Sequence, residues 1–335
     1  MEQDYRVSCC PAGLVSEQNN RIKVLDCTIR DGGICNDWDF DVPTVKRVYD
    51  SLSNSGVDYM EIGYQSKPGL FDPKDVGLWR FCEENALKEV VQGSTSKMKL
   101  CTMIDVGRIR PEDIPPAADS SIDVLRIATY AHQMDEALVL LNDALNKGYE
   151  TFINVMAVST LPPEKVDVFL KELAGSGVHN VAIVDSFGAM YPYHIRYLVQ
   201  KYRSILGTNI GLGVHCHNNQ QQAFANSIAA ADEGVDFIDA TIFGMGRGAG
   251  NCPLELLLFY LNNPKHSIEP ILELTEHFVK LRYDLLWGYH MPYAITGYLN
   301  LHPRSAIEQM AGENRAEVVE LYQKLASRLT LKKSS

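Results

Sequence analysis

The chain has 335 residues, 46% of them apolar, enough for one large core or two modest ones. A net charge of −11 and a pI near 5.3 argue against nucleic acid or an anionic membrane surface as the main partner. They leave anionic substrates open, because a bound cation reverses the local field.

Residues 1–20 read as an N-terminal extension. Beyond them, short apolar runs alternate with helix-like segments. The runs are IKVLDCTI (Ile22 to Ile29), YMEIGY (Tyr59 to Tyr64), KLCTMID (Lys99 to Asp105), VLRIATY (Val124 to Tyr130), TFINVMAV (Thr151 to Val158), NVAIVDS (Asn180 to Ser186), IGLGVHCH (Ile210 to His217) and FIDATIFG (Phe237 to Gly244). Each is apolar on both faces, as in a parallel sheet covered on both sides. Between the first two, PTVKRVYDSLSNSG (Pro43 to Gly56) opens with Pro, carries an i, i+4 apolar stripe and stops at Gly. A Gly-Val phrase recurs at Gly56, Gly177 and Gly234 and reads as a helix C-cap feeding the next strand. Eight such units over residues 21–262 predict a (β/α)₈ TIM barrel, with an open doubly wound sheet as the alternative. After Gly250 the pattern changes. Three helix-like segments begin at Asn251, Glu269 and Arg315, with an aromatic stretch from Trp287 to Ala306 between the last two. Residues 263–335 are expected to form a small helical extension packed on the barrel.

Cys27, Cys101 and Cys216 lie inside apolar runs, and Cys9–Cys10 are adjacent rather than spaced as C-x-x-C. Reduced buried thiols are expected, not a disulfide framework. No apolar run approaches the roughly 18 residues of a membrane span, and MEQDYRVSCC holds no signal-peptide core. A soluble, cytoplasmic protein is the expectation.

Strand C-termini in a barrel face the catalytic mouth, so charged groups there carry the chemistry. LDCTIRDGG (Leu25 to Gly33) places Arg30 and Asp31 at the end of the first strand. The carboxylate could ligate a cation while the guanidinium faces an oxyanion; a structural ion pair is the alternative. In VHCHNN (Val214 to Asn219), alternate side chains share a face, so His215 and His217 form a metal pincer and Cys216 points away. FGMGRGAGNCPLE (Phe243 to Glu255) follows the last strand. Its glycines permit close backbone approach, and Asn251 could contact a metal or a carboxylate, though a tight turn alone would also explain them. One Asp and two His leave open coordination positions suited to Mg²⁺, Mn²⁺ or Zn²⁺. A bidentate 2-keto acid could fill two of those positions.

LDCTIRDGG, VHCHNN and GMGRGAGNCPLE, in this order, resemble the DRE-TIM metallolyase superfamily (HMG-CoA lyase-like). VDSFGAMYP (Val184 to Pro192), LRIATYAHQMD (Leu125 to Asp135) and the glycine loop are most similar to the 4-hydroxy-2-oxovalerate aldolases within it. The resemblance implies Asp31, His215 and His217 as ligands of Mn²⁺ or Mg²⁺, with Asn251 a further ligand or neighbour. It also implies Arg30 as the stabiliser of a pyruvate enolate and Ser186 as a holder of the pyruvate carboxylate. The expected activity is cleavage of a 4-hydroxy-2-keto acid to pyruvate and an aldehyde, or the reverse. Two features depart from the family pattern. The catalytic histidine expected three residues after the metal Asp is replaced by Ile34. The catalytic tyrosine of the C-terminal region aligns with Thr296, with Tyr293 and Tyr298 nearby. Tyr293 is carried as substrate-binding, and Asp37, Tyr64, Tyr130, Tyr293 and His290 stay open as acid or base. A homo-oligomer is expected; the aldehyde dehydrogenase partner of the aldolases is not carried over, because the tail differs in sequence. An acyl-CoA-dependent Claisen synthase and a non-catalytic metal-binding barrel are the competing readings.

Overall fold

Asp26 ends the first strand. Its carboxylate accepts from the backbone N of Thr28 at 2.9 Å and from the Thr28 hydroxyl at 2.6 Å, which turns the chain out of extended geometry. In the computed structural model, which describes residues 19–67 and 69–333 without the side chains of 330–333, β1 is therefore only Lys23–Asp26. Arg30 and Asp31 lie not at a strand end but in the helical turn α1 (Thr28–Gly32) that follows. Cys9, Cys10 and most of the N-terminal extension lie outside the described residues.

The helix foreseen from Pro43 is α2 (Val42–Asn54). Asp41 caps it by accepting from the Thr44 N at 2.8 Å, and Val45, Val48, Tyr49 and Leu52 form its buried stripe. Gly56, at φ +72°, ends it with a bond from the Val57 N to the Leu52 carbonyl, and a Cβ there would meet the Lys265 carbonyl at 2.4 Å. Gly177 and Gly234 take the same left-handed role at φ +79° and +82°. The remaining barrel elements are β2 (Tyr59–Gln65), α3 (Glu84–Val91), β3 (Lys99–Asp105), β4 (Val124–Tyr130), α4 (Met134–Asn146), β5 (Glu150–Met156), α5 (Pro163–Ala174), β6 (Asn180–Asp185), α6 (Pro192–Leu206), β7 (Gly211–Cys216), α7 (Ala223–Asp232), β8 (Phe237–Ala240) and α8 (Leu254–Leu261). Between β3 and β4 there is no α-helix, only two short 3₁₀ turns. Pro111, Pro115 and Pro116 in that connection remove the amide donors a helix would need.

All neighbouring strands are parallel, and β1 pairs with β8 from Lys23↔Phe237 to Asp26↔Ala240, which closes the barrel. The closed form, not the open sheet, is the one adopted. Inside, Leu25, Tyr59, Phe152 and Phe237 plug the end nearest the strand N-termini, with the Phe152 and Phe237 rings 4.9 Å apart and nearly perpendicular. One layer nearer the mouth the interior carries Glu61, Arg126 and Asp239, all buried.

The chain continues through α9 (Glu269–Asp284), α10 (Met291–Tyr298), α11 (Arg304–Ala311) and α12 (Val318–Lys333). The aromatic stretch thus contains a full helix and starts another. It packs on the mouth. Buried Trp287 donates from Nε1 to the Phe243 carbonyl at 3.3 Å, and the Gly288 N donates to the Gly248 carbonyl at 3.0 Å. No helix among the described residues is long and apolar enough to cross a membrane.

Candidate metal centre

Asp31 from α1, His215 from β7 and His217 just beyond it converge at the mouth. One donor atom from each lies within 4.8 Å of the others, and Asp31 Oδ2 is 3.7 Å from His217 Nε2. Cys216 lies buried in the outer core, as alternation requires. Each imidazole is oriented from behind. His215 Nδ1 meets Asp239 Oδ2 at 2.9 Å, and His217 Nδ1 meets the Asp185 carbonyl at 3.2 Å. Protonating Nδ1 in both rings leaves both Nε2 lone pairs for the centre, the usual arrangement behind metal-bound histidines. His215 Nε2 is buried and has no hydrogen-bond partner among the described residues. A buried acceptor left this way is costly unless an external group satisfies it. The donor set fits a divalent cation.

Asn251 reaches the centre through an isolated bridge with His217. Its Nδ2 donates to Asp31 Oδ2 at 2.7 Å, and its Oδ1 is buried and unpartnered. Gly246 makes room for this contact: a Cβ there would fall 2.1 Å from Asn251 Nδ2 and 2.7 Å from Asp31 Oδ2. A second cluster, Cys27, His215 and Asp239, is less suited to a cation. Asp239 is already bonded to Arg126 at 2.6 Å and to His215, and burial pushes the Cys27 thiol far above its ordinary range.

Arg30 does not stand alone. Its Nη1 donates to Asp31 Oδ1 at 2.6 Å and its Nε to Glu61 Oε2 at 2.6 Å. Glu61 Oε2 also accepts from Arg126 Nη1 at 3.0 Å, and Arg126 Nη2 donates to Asp239 Oδ2. A buried chain of alternating charge therefore runs from Asp31 through Arg30, Glu61, Arg126 and Asp239 to His215. Burial opposes ionisation of Asp31, but the Arg30 guanidinium outweighs it and, with Arg247, holds the carboxyl well below the usual carboxylate range. Asp239 is likewise opposed by burial and, through Arg126 and His215, lowered to about 2. His217 is held far below its ordinary value, first by burial and then by Arg247, so it stays a neutral imidazole.

Above the centre lies a cavity of about 80 Å³ lined by Arg30, Asp31, Ser186, His215, His217 and Arg247 on its polar side. Ile34, Tyr64, Met103, Ala128, Met156 and Val184 form the other side, with Asp105 and Asn154 completing the lining. Ser186 Oγ accepts from the Ala157 N at 2.8 Å, leaving its hydroxyl hydrogen for a ligand. Tyr293 is buried, but it does not line this cavity. Its ring packs 3.1 Å from where a Gly248 Cβ would stand, behind the glycine loop, and its carbonyl accepts from Asn219 and Thr296. Of the open acid–base candidates only Tyr64 lines the cavity; burial pushes its hydroxyl up to about 12. Asp37 and His290 sit elsewhere, and Tyr130 is solvent-exposed and stacked on His132.

The sequence reading missed Glu61, Arg126 and Asp239. Each is a lone charge inside an otherwise apolar run, and that was the available signal.

Residues 21–279 match the HMGL-like family. The chain belongs to that family. Among HMGL-like relatives, it is 30% identical over 275 residues to the oxaloacetate decarboxylase of Mycobacterium tuberculosis, covering 81% of this chain and 79% of that one. It is 29% identical over 241 residues to the 4-hydroxy-2-oxovalerate aldolase of Moorella thermoacetica, covering 72% and 70%. Among solved structures, the N-terminal domain of a putative aldolase from Bacteroides vulgatus shares 32% identity and superposes with a TM-score of 0.79, covering 89% of this chain and all of that one. The HMG-CoA lyase of Brucella melitensis, at 16% identity and a TM-score of 0.63 over 78% of this chain and 99% of that one, shares the fold. The resemblance read from the three motifs is borne out.

Proposed function

We propose that the protein is a divalent-cation-dependent carbon–carbon lyase that works through a pyruvate-type enolate, cleaving a 4-hydroxy-2-keto acid to pyruvate and a carbonyl compound or running the reverse. The observation that carries this reading is the convergence of Asp31, His215 and His217 around the unpartnered His215 Nε2. These three residues would hold the cation, Mn²⁺ or Mg²⁺ ahead of Zn²⁺, with Asn251 beside them. When bound, such an ion supplies Lewis-acid stabilisation of developing negative charge on the keto oxygen.

The chain's own residues do the rest. Arg30, fixed by Glu61 and Asp31, presents a guanidinium that needs no reorganisation as charge builds on that oxygen. Ser186 orients the carboxylate of the keto acid through its free hydroxyl hydrogen. Ile34, Met103, Ala128 and Met156 keep water from the methyl carbon. Tyr64, a phenol held neutral that lines the same cavity, would be the proton donor to that carbon. The relatives' names support a lyase: both denote enzymes that break a carbon–carbon bond.

Decarboxylation of a 2-keto diacid is the second reading. Ile34 favours it, because losing CO₂ requires no base at that wall. Both readings pass through the pyruvate enolate, and the measurement that tests it is hydrogen–deuterium exchange at the pyruvate methyl group in D₂O. Exchange that requires Mn²⁺ or Mg²⁺ is expected; no exchange with any divalent cation would sink the lyase reading.

A further inference from the structure

Between Gly244 and Gly250 the glycine loop carries one charged side chain, Arg247, and it reaches the cavity. Its backbone N lies 3.3 Å from Asp31 Oδ2, its Nη2 donates to the Ser186 carbonyl, and the same nitrogen is 3.4 Å from His217 Nε2. Its Nε is buried without a partner, and among the described residues no carboxylate lies within ion-pair distance of the guanidinium. A guanidinium stays charged at any physiological pH, so a half-buried one with no carboxylate partner is suited to an anionic guest.

Charge counting gives the same result. With neutral imidazoles, Arg30, Arg126 and Arg247 balance Asp31, Glu61 and Asp239 one for one. Asp105, the other charged lining residue, has Arg108 at 2.9 Å and Arg80 at 3.7 Å. A divalent cation therefore brings an excess of two positive charges. A monocarboxylate neutralises half of it, a dicarboxylate all of it. The cavity, about 80 Å³ against the several hundred Å³ typical of drug-sized sites, suits a compact acid.

Building on the lyase reading, we propose that Arg247 is a specificity-determining anion site and that the substrate is a small 4-hydroxy-2-keto acid bearing a second carboxylate on C4. Ser186 and Arg30 take the keto-acid end; Arg247 takes the far carboxylate. Loss of that group as CO₂ would leave its electron pair on C4, out of conjugation with the C2 carbonyl, so the bond that the metal-side enolate chemistry can break is C3–C4. In retro-aldol cleavage the far carboxylate stays intact. The C3–C4 bond breaks, its electron pair passes to C3 as enolate, the C4 hydroxyl proton passes to solvent water, and C3 takes a proton from the Tyr64 hydroxyl, which solvent then reprotonates. The products are pyruvate and a second 2-oxo acid, with no external oxidant or co-reactant.

The test pairs binding with turnover. Calorimetry compares 2-oxoglutarate with 2-oxovalerate, which differ only in the far carboxylate, on the metal-free and Mn²⁺-loaded protein. Preference for the diacid by roughly 30-fold or more is expected in both states, and Arg247→Met should remove it while Arg247→Lys restores part. With Mn²⁺, kcat/KM for 4-hydroxy-2-oxoglutarate over 4-hydroxy-2-oxovalerate should fall by a similar factor in Arg247→Met. Equal affinity for the two acids, an unchanged ratio in the variant, or oxaloacetate decarboxylation without cleavage of 4-hydroxy-2-oxoglutarate would each overturn the proposal. Failure of pyruvate exchange in the wild-type protein would instead strike the lyase reading, leaving the diacid preference in the binding data intact.

Discussion

Asp31 belongs to two systems at once, the proposed ligand set and the buried charge chain. The two can be separated by substitution. His217→Ala removes one donor whose Nδ1 meets only a backbone carbonyl, so the fold should persist while Mn²⁺ binding is lost; circular dichroism and Mn²⁺ titration read both. Arg30→Lys keeps the charge but cannot serve Glu61, Asp31 and a substrate oxygen together. Mn²⁺ affinity should hold while pyruvate exchange falls by roughly 10²-fold, the usual loss for an oxyanion donor. Turnover within a few-fold of wild type would show that Arg30 serves the charge chain alone. Asp26 makes a separate point about pH. Burial raises its carboxyl from 3.8 to about 7 against the lowering bonds from Thr28, so the folded protein holds a proton that the unfolded chain releases. Its contribution to stability is full below about pH 4 and is lost as pH rises through 7. Asp26→Asn can keep both bonds with Thr28 and does not titrate. Between pH 5 and 8 it should lose less stability than wild type, by about 1 to 3 kcal/mol in urea unfolding; parallel profiles would refute this.

At the level of elements, the loop from Ile242 to Pro253 connects the barrel to its site. It leaves β8 at Thr241 and returns to it: the Thr241 N donates to the Cys252 carbonyl and the Leu254 N to the Thr241 carbonyl. Gly250 sits at φ +81°, where an added Cβ would meet the Gly244 carbonyl at 2.1 Å. Gly246 is different, since its constraint is the Asn251–Asp31 contact itself. Gly246→Ala should therefore lower Mn²⁺ affinity by at least about 10-fold with a smaller effect on the folded baseline, because the displaced groups are those of the centre. An unchanged affinity would mean that Asn251 does not orient Asp31. The glycines of this loop were legible in the sequence. The direction of the Arg247 side chain was not, because it depends on where Trp287 and Gly288 hold the loop from the C-terminal side.

Across the whole molecule, a cation bound only by the native state should raise stability by about 2.7 kcal/mol at a hundred times its dissociation constant. That corresponds to a few degrees in melting temperature, and the rise should vanish in His217→Ala. A rise that survived the substitution would place the ion elsewhere. The sequence by itself determined the architecture. Eight apolar runs with capped helices between them leave few alternatives, and a parallel sheet covered on both faces needs little long-range information to be recognised. It also placed His215 and His217 on one face, since strand alternation is a local rule. Only the tertiary structure decided the rest. Arg30 and Asp31 read as strand from their apolar neighbours, yet the Asp26 carboxylate bonds to Thr28 and bends the chain into a helical turn. Glu61, Arg126 and Asp239 are far apart in sequence and meet only because closure of β1 on β8 brings β2, β4 and β8 around one interior. Local rules fix periodicity and caps. The pairing of buried charges is a property of the closed barrel, because each charge is tolerable inside only once its partner has arrived from another strand.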